Sequence, residues 1–89
     1  MNHDLCFITV TGTDKVGILA RITDVLYQNR VNIVDSSQRI VQDYFIMGIL
    51  VDLGTSPLTI DEFILTMASL EKEMGVKIVI QHKGQFKHA

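Results

Sequence analysis

The sequence predicts an α+β sandwich, a βαββαβ chain that folds into a four-stranded antiparallel sheet with two helices on one face. Three observations predict it. Leu5–Thr11 alternates side chains with the two-residue period of a strand. Two stretches, 15–29 and 60–74, place apolar residues at helical spacing and are each followed by a β-rich segment. Between them, Val31–Ile40 and Tyr44–Leu53 are separated by only three residues, Val41-Gln42-Asp43, so a hairpin is the simplest connection.

In the first strand Cys6, Ile8 and Val10 oppose Leu5, Phe7, Thr9 and Thr11. The first helix carries Ile18, Leu19, Ile22, Val25 and Leu26 on one stripe, with Arg21, Asp24 and Gln28 interspersed. The second strand is weaker. Asp35, Ser36 and Ser37 interrupt it with side chains that compete for backbone hydrogen bonds, which suits an edge or a bulge. The third strand is stronger and ends at Gly54-Thr55-Ser56-Pro57. Thr59 and Glu62 then fit a capping box, and Leu58 and Phe63 the accompanying hydrophobic staple. Ile60, Phe63, Ile64, Met67, Leu70 and Met74 continue the stripe of the second helix, and Gly75 is placed to end it in a left-handed conformation. Val76–Gln81 is the final strand. The two βαβ halves form a weak internal pseudo-repeat and lead to the ferredoxin-like arrangement.

Helices on one face leave the other open, so strand parity identifies what the open face carries. Phe45, Met47, Ile49 and Val51 face the helices. Leu5, Phe7, Tyr44, Ile46, Leu50 and Val79 fall on the open side, with Gly48 and Asp52. An apolar area there predicts covering by another subunit or partner.

The 89 residues, 47% hydrophobic and 20% charged, fit one domain with a core at about residues 5–81 and a tail at 82–89 that is solvated or an interface arm. A chain of this size buries roughly 60% of its unfolded surface, so association helps its stability. A net charge of −2 gives no cationic field for nucleic acid or anionic lipid. No apolar run is long enough to span a bilayer, and a single cysteine, Cys6, makes the cytoplasm the default compartment.

The segment from Ile8 to Ala20 reads as strand, tight loop and helix start. Gly12 is expected to supply a backbone conformation that a Cβ disfavours, and Asp14 to cap the helix through N–H groups near Val16 and Gly17. Gly17 leaves the first turn open to close approach by a group attracted to free N–H donors and a helix dipole, such as a carboxylate or phosphate. This points to a small-ligand pocket without catalysis, although a plain capped turn needs the same residues.

The pattern Val10-x-Gly12-x-Asp14-x-x-Gly17-Ile18-x-Ala20, a helix, then Val31-Asn32-Ile33 resembles the ACT domain, a regulatory module that in many proteins senses amino acids. The resemblance runs from Leu5 to about Gln81 and is strongest to the stand-alone ACT proteins of bacteria and archaea. It implies a ligand near the loop and the start of the second strand, often at a subunit interface, and so implicates Gly12, Thr13, Asp14, Val16, Gly17 and Ile18, with Asn32 and Ile33 across the pocket. Asn32 can pair with a zwitterion or satisfy a turn, and Asp14 can meet an ammonium group or only cap the helix. Val16 departs from the family, where proline often precedes this glycine. The departure loosens the loop and weakens transfer of effector specificity.

Other chemistries lack their central residues. His3, Cys6, His82 and His88 have poor metal-ligand spacing, and no cofactor motif is present. An acylphosphatase-like site needs an arginine in the first loop, a copper chaperone needs two thiols there, and an RNA-binding sheet needs spaced exposed aromatics with basic neighbours. The expectation is a non-enzymatic module that binds an amino acid or similar small ligand. The alternative is a structural protein–protein interaction module with no small ligand. Either is expected to form a homodimer, through the polar second-strand edge or the open face.

Overall fold

Residues 3–82 are described by a computed structural model. The predicted tail residues 83–89, with His88, lie outside them. Strand β1 spans Leu5–Gly12, helix α1 Lys15–Gln28, β2 Asn32–Val41, β3 Tyr44–Asp52, helix α2 Ile60–Met74 and β4 Lys77–His82; a 3-10 turn at Leu53–Thr55 follows β3. The strands lie in the order β2-β3-β1-β4, and every neighbouring pair is antiparallel. This is the ferredoxin-like arrangement, with β2 and β4 as edges.

The core is the predicted one. Cys6, Ile8 and Val10 from β1 and Phe45, Met47, Ile49 and Val51 from β3 pack against Ile18, Ile22 and Leu26 of α1 and Phe63, Met67 and Leu70 of α2. Ile64 is more exposed than its place on the stripe suggests. Both helix starts form as the sequence predicts. Asp14 Oδ1 accepts the Gly17 N–H at 3.0 Å, while Thr59 and Glu62 exchange reciprocal bonds of 3.1 and 2.8 Å. Gly75 ends α2 at φ 68°. The last turn of α1 is closed from outside its own helix: the hydroxyls of Ser56 and Thr55 donate to the carbonyls of Asn29 and Arg30 at 2.6 and 2.9 Å.

One difference from expectation has a physical reason. Val31 is not in β2; it is buried and donates its N–H to Leu26 O at 2.9 Å, so it finishes the helix turn and seals the core. Strand β2 is an edge and carries a bulge, in line with its polar interruption: Ile33 pairs with Val51 and Asp35 with Leu50, leaving Val34 as the extra residue.

The open face carries the predicted Leu5, Phe7, Tyr44, Ile46, Leu50 and Val79, but it is not a continuous apolar area. The register sets Thr9 beside Gly48 and Val79, and Thr11 beside Ile46 and Lys77. Leu5, Phe7, Ile46 and Leu50 are already half-buried, whereas Tyr44 and Val79 are 54% and 43% exposed. Phe7 and Ser37 lean over Gly48: a Cβ there would lie 3.0 Å from Phe7 Cζ and 3.2 Å from Ser37 Oγ.

Candidate functional site

The loop from Gly12 to Ile18 opens onto a cleft of about 300 Å³ lined by Thr13, Asp14, Gly17, Ile18 and Arg21 on one side and Glu73, Met74, Gly75 and Val76 on the other. Antiparallel pairing builds it. Thr11 lies opposite Lys77, so the chain leaving β1 faces the chain entering β4. The left-handed turn at Gly75 brings the end of α2 to the same place.

Each glycine of the loop has a different role from the one expected. Gly12 is not in the left-handed region. Its missing side chain lets β1 approach its neighbours, because a Cβ would lie 2.8 Å from both Ile18 Cδ1 and Val76 Cγ1. Gly17 does not leave the first turn open. The space beside its Cα is filled by the Asp14 carboxylate, the same group that caps the helix.

The electrostatics also differ from a simple anion site. Arg21, one turn into α1, reaches across the cleft to Glu73, with Nε to Oε2 at 2.9 Å and Nη2 to Oε1 at 3.1 Å. Their hydrogen bond raises the Arg21 pKa and lowers that of Glu73, so both are charged. Asp14 adds a second carboxylate, and the lining charges therefore sum to −1 (Asp14 and Glu73 against Arg21). Lys15 does not line the cleft; its Nζ sits 6.0 Å from the Phe45 ring centroid. A phosphate or lone carboxylate meets net repulsion here, while a zwitterion has an acceptor pair for its ammonium and a guanidinium for its carboxylate.

The structure brings Gly12, Thr13, Asp14, Gly17 and Ile18 together. Val16 stands outside the lining on the exposed side of α1, 76% exposed. Asn32 and Ile33 do not face this cleft within one chain. Gly12 pairs with Phe45 while Asn32 pairs with Asp52, seven positions further along β3 and so roughly 24 Å away at strand spacing. Arg21, Glu73, Met74 and Val76 are site residues that the motif did not include. The signal for them was the antiparallel pairing of the first and last strands, which sets Gly75 and Val76 beside the loop.

The two described histidines each meet a carboxylate. His3 Nδ1 lies 2.7 Å from Asp52 Oδ2, and His82 Nε2 lies 2.6 Å from Asp4 Oδ1. Asp52 Oδ1 also accepts the Asp4 and Gly54 N–H groups at 2.9 and 2.8 Å. These bonds, the one from the Asp4 N–H foremost and then the His3 ring, hold the Asp52 carboxyl down at about 2. Cys6 is buried, and burial, with the nearby Asp4 charge, pushes its thiol up to about 11. Among the described residues no three His, Cys, Asp or Glu side chains are grouped to hold a metal, and no helix is long and apolar enough to cross a membrane.

The sequence profile of the ACT domain matches residues 4–81. The chain belongs to the ACT domain family. This family commonly binds amino acids in regulation. Among relatives of this ACT domain, a UPF0237 protein of Methanococcus maripaludis is 46% identical over 81 residues, covering 91% of this chain and 90% of its own. A UPF0237 protein of Clostridium acetobutylicum is 43% identical, covering 89% of each chain. Among solved structures, an ACT domain protein from Streptococcus pneumoniae superposes with a TM-score of 0.84 at 28% identity, with 99% of both chains covered. A putative glycine cleavage system transcriptional repressor shares the fold, with a TM-score of 0.80 at 22% identity over 100% of this chain and 51% of that one.

Proposed function

We propose that this ACT domain is a non-enzymatic, cytoplasmic regulatory module that binds a free amino acid in the cleft beside the β1–α1 loop and passes its occupancy on through contacts with a second copy or a partner protein. One observation carries this reading. The cleft combines a guanidinium, two carboxylates and the N-terminal turn of α1 within about 300 Å³, a volume suited to a small zwitterion. Thr13, Asp14, Gly17 and Ile18 form one wall, backed by the close packing of Gly12 on Ile18 and Val76; Arg21 supplies the cation, and Glu73 with Asp14 meets the ammonium group. Val16, exposed and outside the lining, is free to meet a ligand only from the solvent side. Asn32 and Ile33 complete the site only when contributed by another copy.

The alternative is a protein interaction module with no small ligand, favoured by the fully exposed β2 edge. Titration calorimetry against the twenty amino acids separates the two. Heat from one or a few of them that is lost in Arg21→Met supports sensing; silence across the panel from the folded chain leaves the interaction module as the function.

A further inference from the structure

Ile64 lies on the apolar stripe of α2 and is nonetheless 41% exposed. It stands in a groove of about 270 Å³ between α2 and the β4 edge, lined by Ile64, Met67, Ala68, Glu71, Ile78 and Ile80. Every lining residue but Glu71 is apolar, and Met67 is fully buried beneath the others. The groove continues the core outward, and among the described residues nothing closes it.

The strand beside it offers main-chain groups as well. Glu71 Oε2 accepts the Ile78 N–H at 2.8 Å, so Ile78 turns its backbone groups away from β1. The alternation of an antiparallel pair turns Ile80 the same way. Its N–H and C=O face outward beside the groove, with no bond to a described residue. Edge groups next to an apolar groove are what a sheet uses to take up an extended segment, main chain on the edge and alternate side chains in the groove.

The chain itself supplies such a segment. Residues 83–89, Lys-Gly-Gln-Phe-Lys-His-Ala, follow β4 directly. They carry one large apolar side chain, Phe86, and two lysines without an acid, while Glu71 is the one charged residue lining the groove. Phe86 comes four residues after His82 and so reaches up to roughly 14 Å from it, whereas Ile80 lies only roughly 7 Å back along β4. A three-residue turn at Lys83-Gly84-Gln85 sets Phe86 opposite His82, Lys87 opposite Gln81 and His88 opposite Ile80. Ile80 and His82 pair with Ile8 and Cys6 on the helix side, so Phe86 falls on that side too, one diagonal from Ile80 and within reach of an aromatic ring. A two-residue turn puts Phe86 opposite Gln81 instead, on the open side, away from the groove.

We propose that residues 83–89 fold back along the β4 edge of their own chain and seat Phe86 in the groove beside Ile64 and Ala68. Glu71 already holds Ile78, which limits the added pairing to Val79–His82. The docked segment closes this edge to other chains and completes the flank of a small core. The proposal is independent of the ligand cleft, so its test and the calorimetry fail separately.

Hydrogen exchange of the full chain and of its Phe86→Ser variant, read residue by residue by NMR, tests it. The Ile80 N–H is expected to exchange about tenfold or more slowly in the unmodified chain than in Phe86→Ser, because the docked ring holds the segment on the edge. Ile78, held by Glu71, and Val79, facing β1, keep their rates and serve as internal references that the variant is folded. Nuclear Overhauser contacts from the Phe86 ring to Ile64 and Ala68 are expected within one chain. Equal exchange of Ile80 in the two proteins, Phe86 contacts to Val79 on the open side or to neither face, or contacts that arise only between differently labelled copies overturn the proposal.

Discussion

The Asp14 carboxylate occupies the volume that a side chain on Gly17 would need. Helix cap and glycine are therefore one unit. Asp14→Ala removes the cap and costs about 1 kcal/mol. Gly17→Ala should give none of the gain of up to about 1 kcal/mol that alanine brings to a helix, because its Cβ displaces the carboxylate. In the Asp14→Ala background the same change should stabilise. Urea unfolding of the four proteins gives the coupling energy, expected at about 1 kcal/mol; additivity within error would show that the two residues do not interact.

Helix α2 carries its stop and start signals independently. Thr59→Ala breaks one half of the capping box and is expected to cost about 1 kcal/mol. At Gly75, nothing lies within 4 Å of an added Cβ, so Gly75→Ala isolates the cost of the left-handed backbone at φ 68°, about 1 kcal/mol, with Gly75→Asn costing less. Denaturation midpoints measure both. A cost for Gly75→Asn equal to that for Gly75→Ala would mean that something other than backbone conformation decides the position.

These caps also show what was legible in sequence. Thr59, Glu62 and Gly75 act through neighbours a few residues away, and so do Asp14 and Gly17; local chemistry was enough to set the helices, and parity was enough to set the core. The cleft was only half legible. Its first wall lies in one contiguous motif, but Arg21 and Glu73 meet across 52 positions, and only the β1–β4 pairing brings them together. The family pattern puts Asn32 near the loop, whereas in a βαβ unit the second strand begins at the end of the sheet where the helix finishes. Gly12 was misread because close approach and positive φ both demand glycine, and sequence does not distinguish them.

Asp52 ties the segment before β1 to the end of β3, and its carboxyl sits near 2 against an ordinary 3.8. A carboxyl lowered by folding stabilises the protein above its unfolded pKa, and this stabilisation is lost as pH falls through the folded value. The window is therefore about pH 4 down to 2. Asp52→Asn should flatten the stability curve within that window. Unfolding midpoints measured across the acid range check this; parallel curves for the two proteins would show that other carboxylates carry the acid sensitivity.

The charge balance of the cleft makes the last prediction. With Asp14 and Glu73 against Arg21, a bound carboxylate must bring its own positive charge to avoid net repulsion. An α-amino acid that binds should lose affinity when its amine is acetylated, by about tenfold or more for one lost charge-assisted hydrogen bond. Glu73→Gln should weaken the free amino acid while narrowing the gap to its acetylated form, since one acceptor for the ammonium is gone but repulsion of the carboxylate is relieved. Arg21→Met should weaken both forms. The structural role of the Arg21–Glu73 pair is separable, because its side chains are 41% and 53% exposed and screened by solvent, so a denaturation control isolates it. Equal affinity for acetylated and free forms would place ligand recognition outside the cleft, on groups that do not read the ammonium.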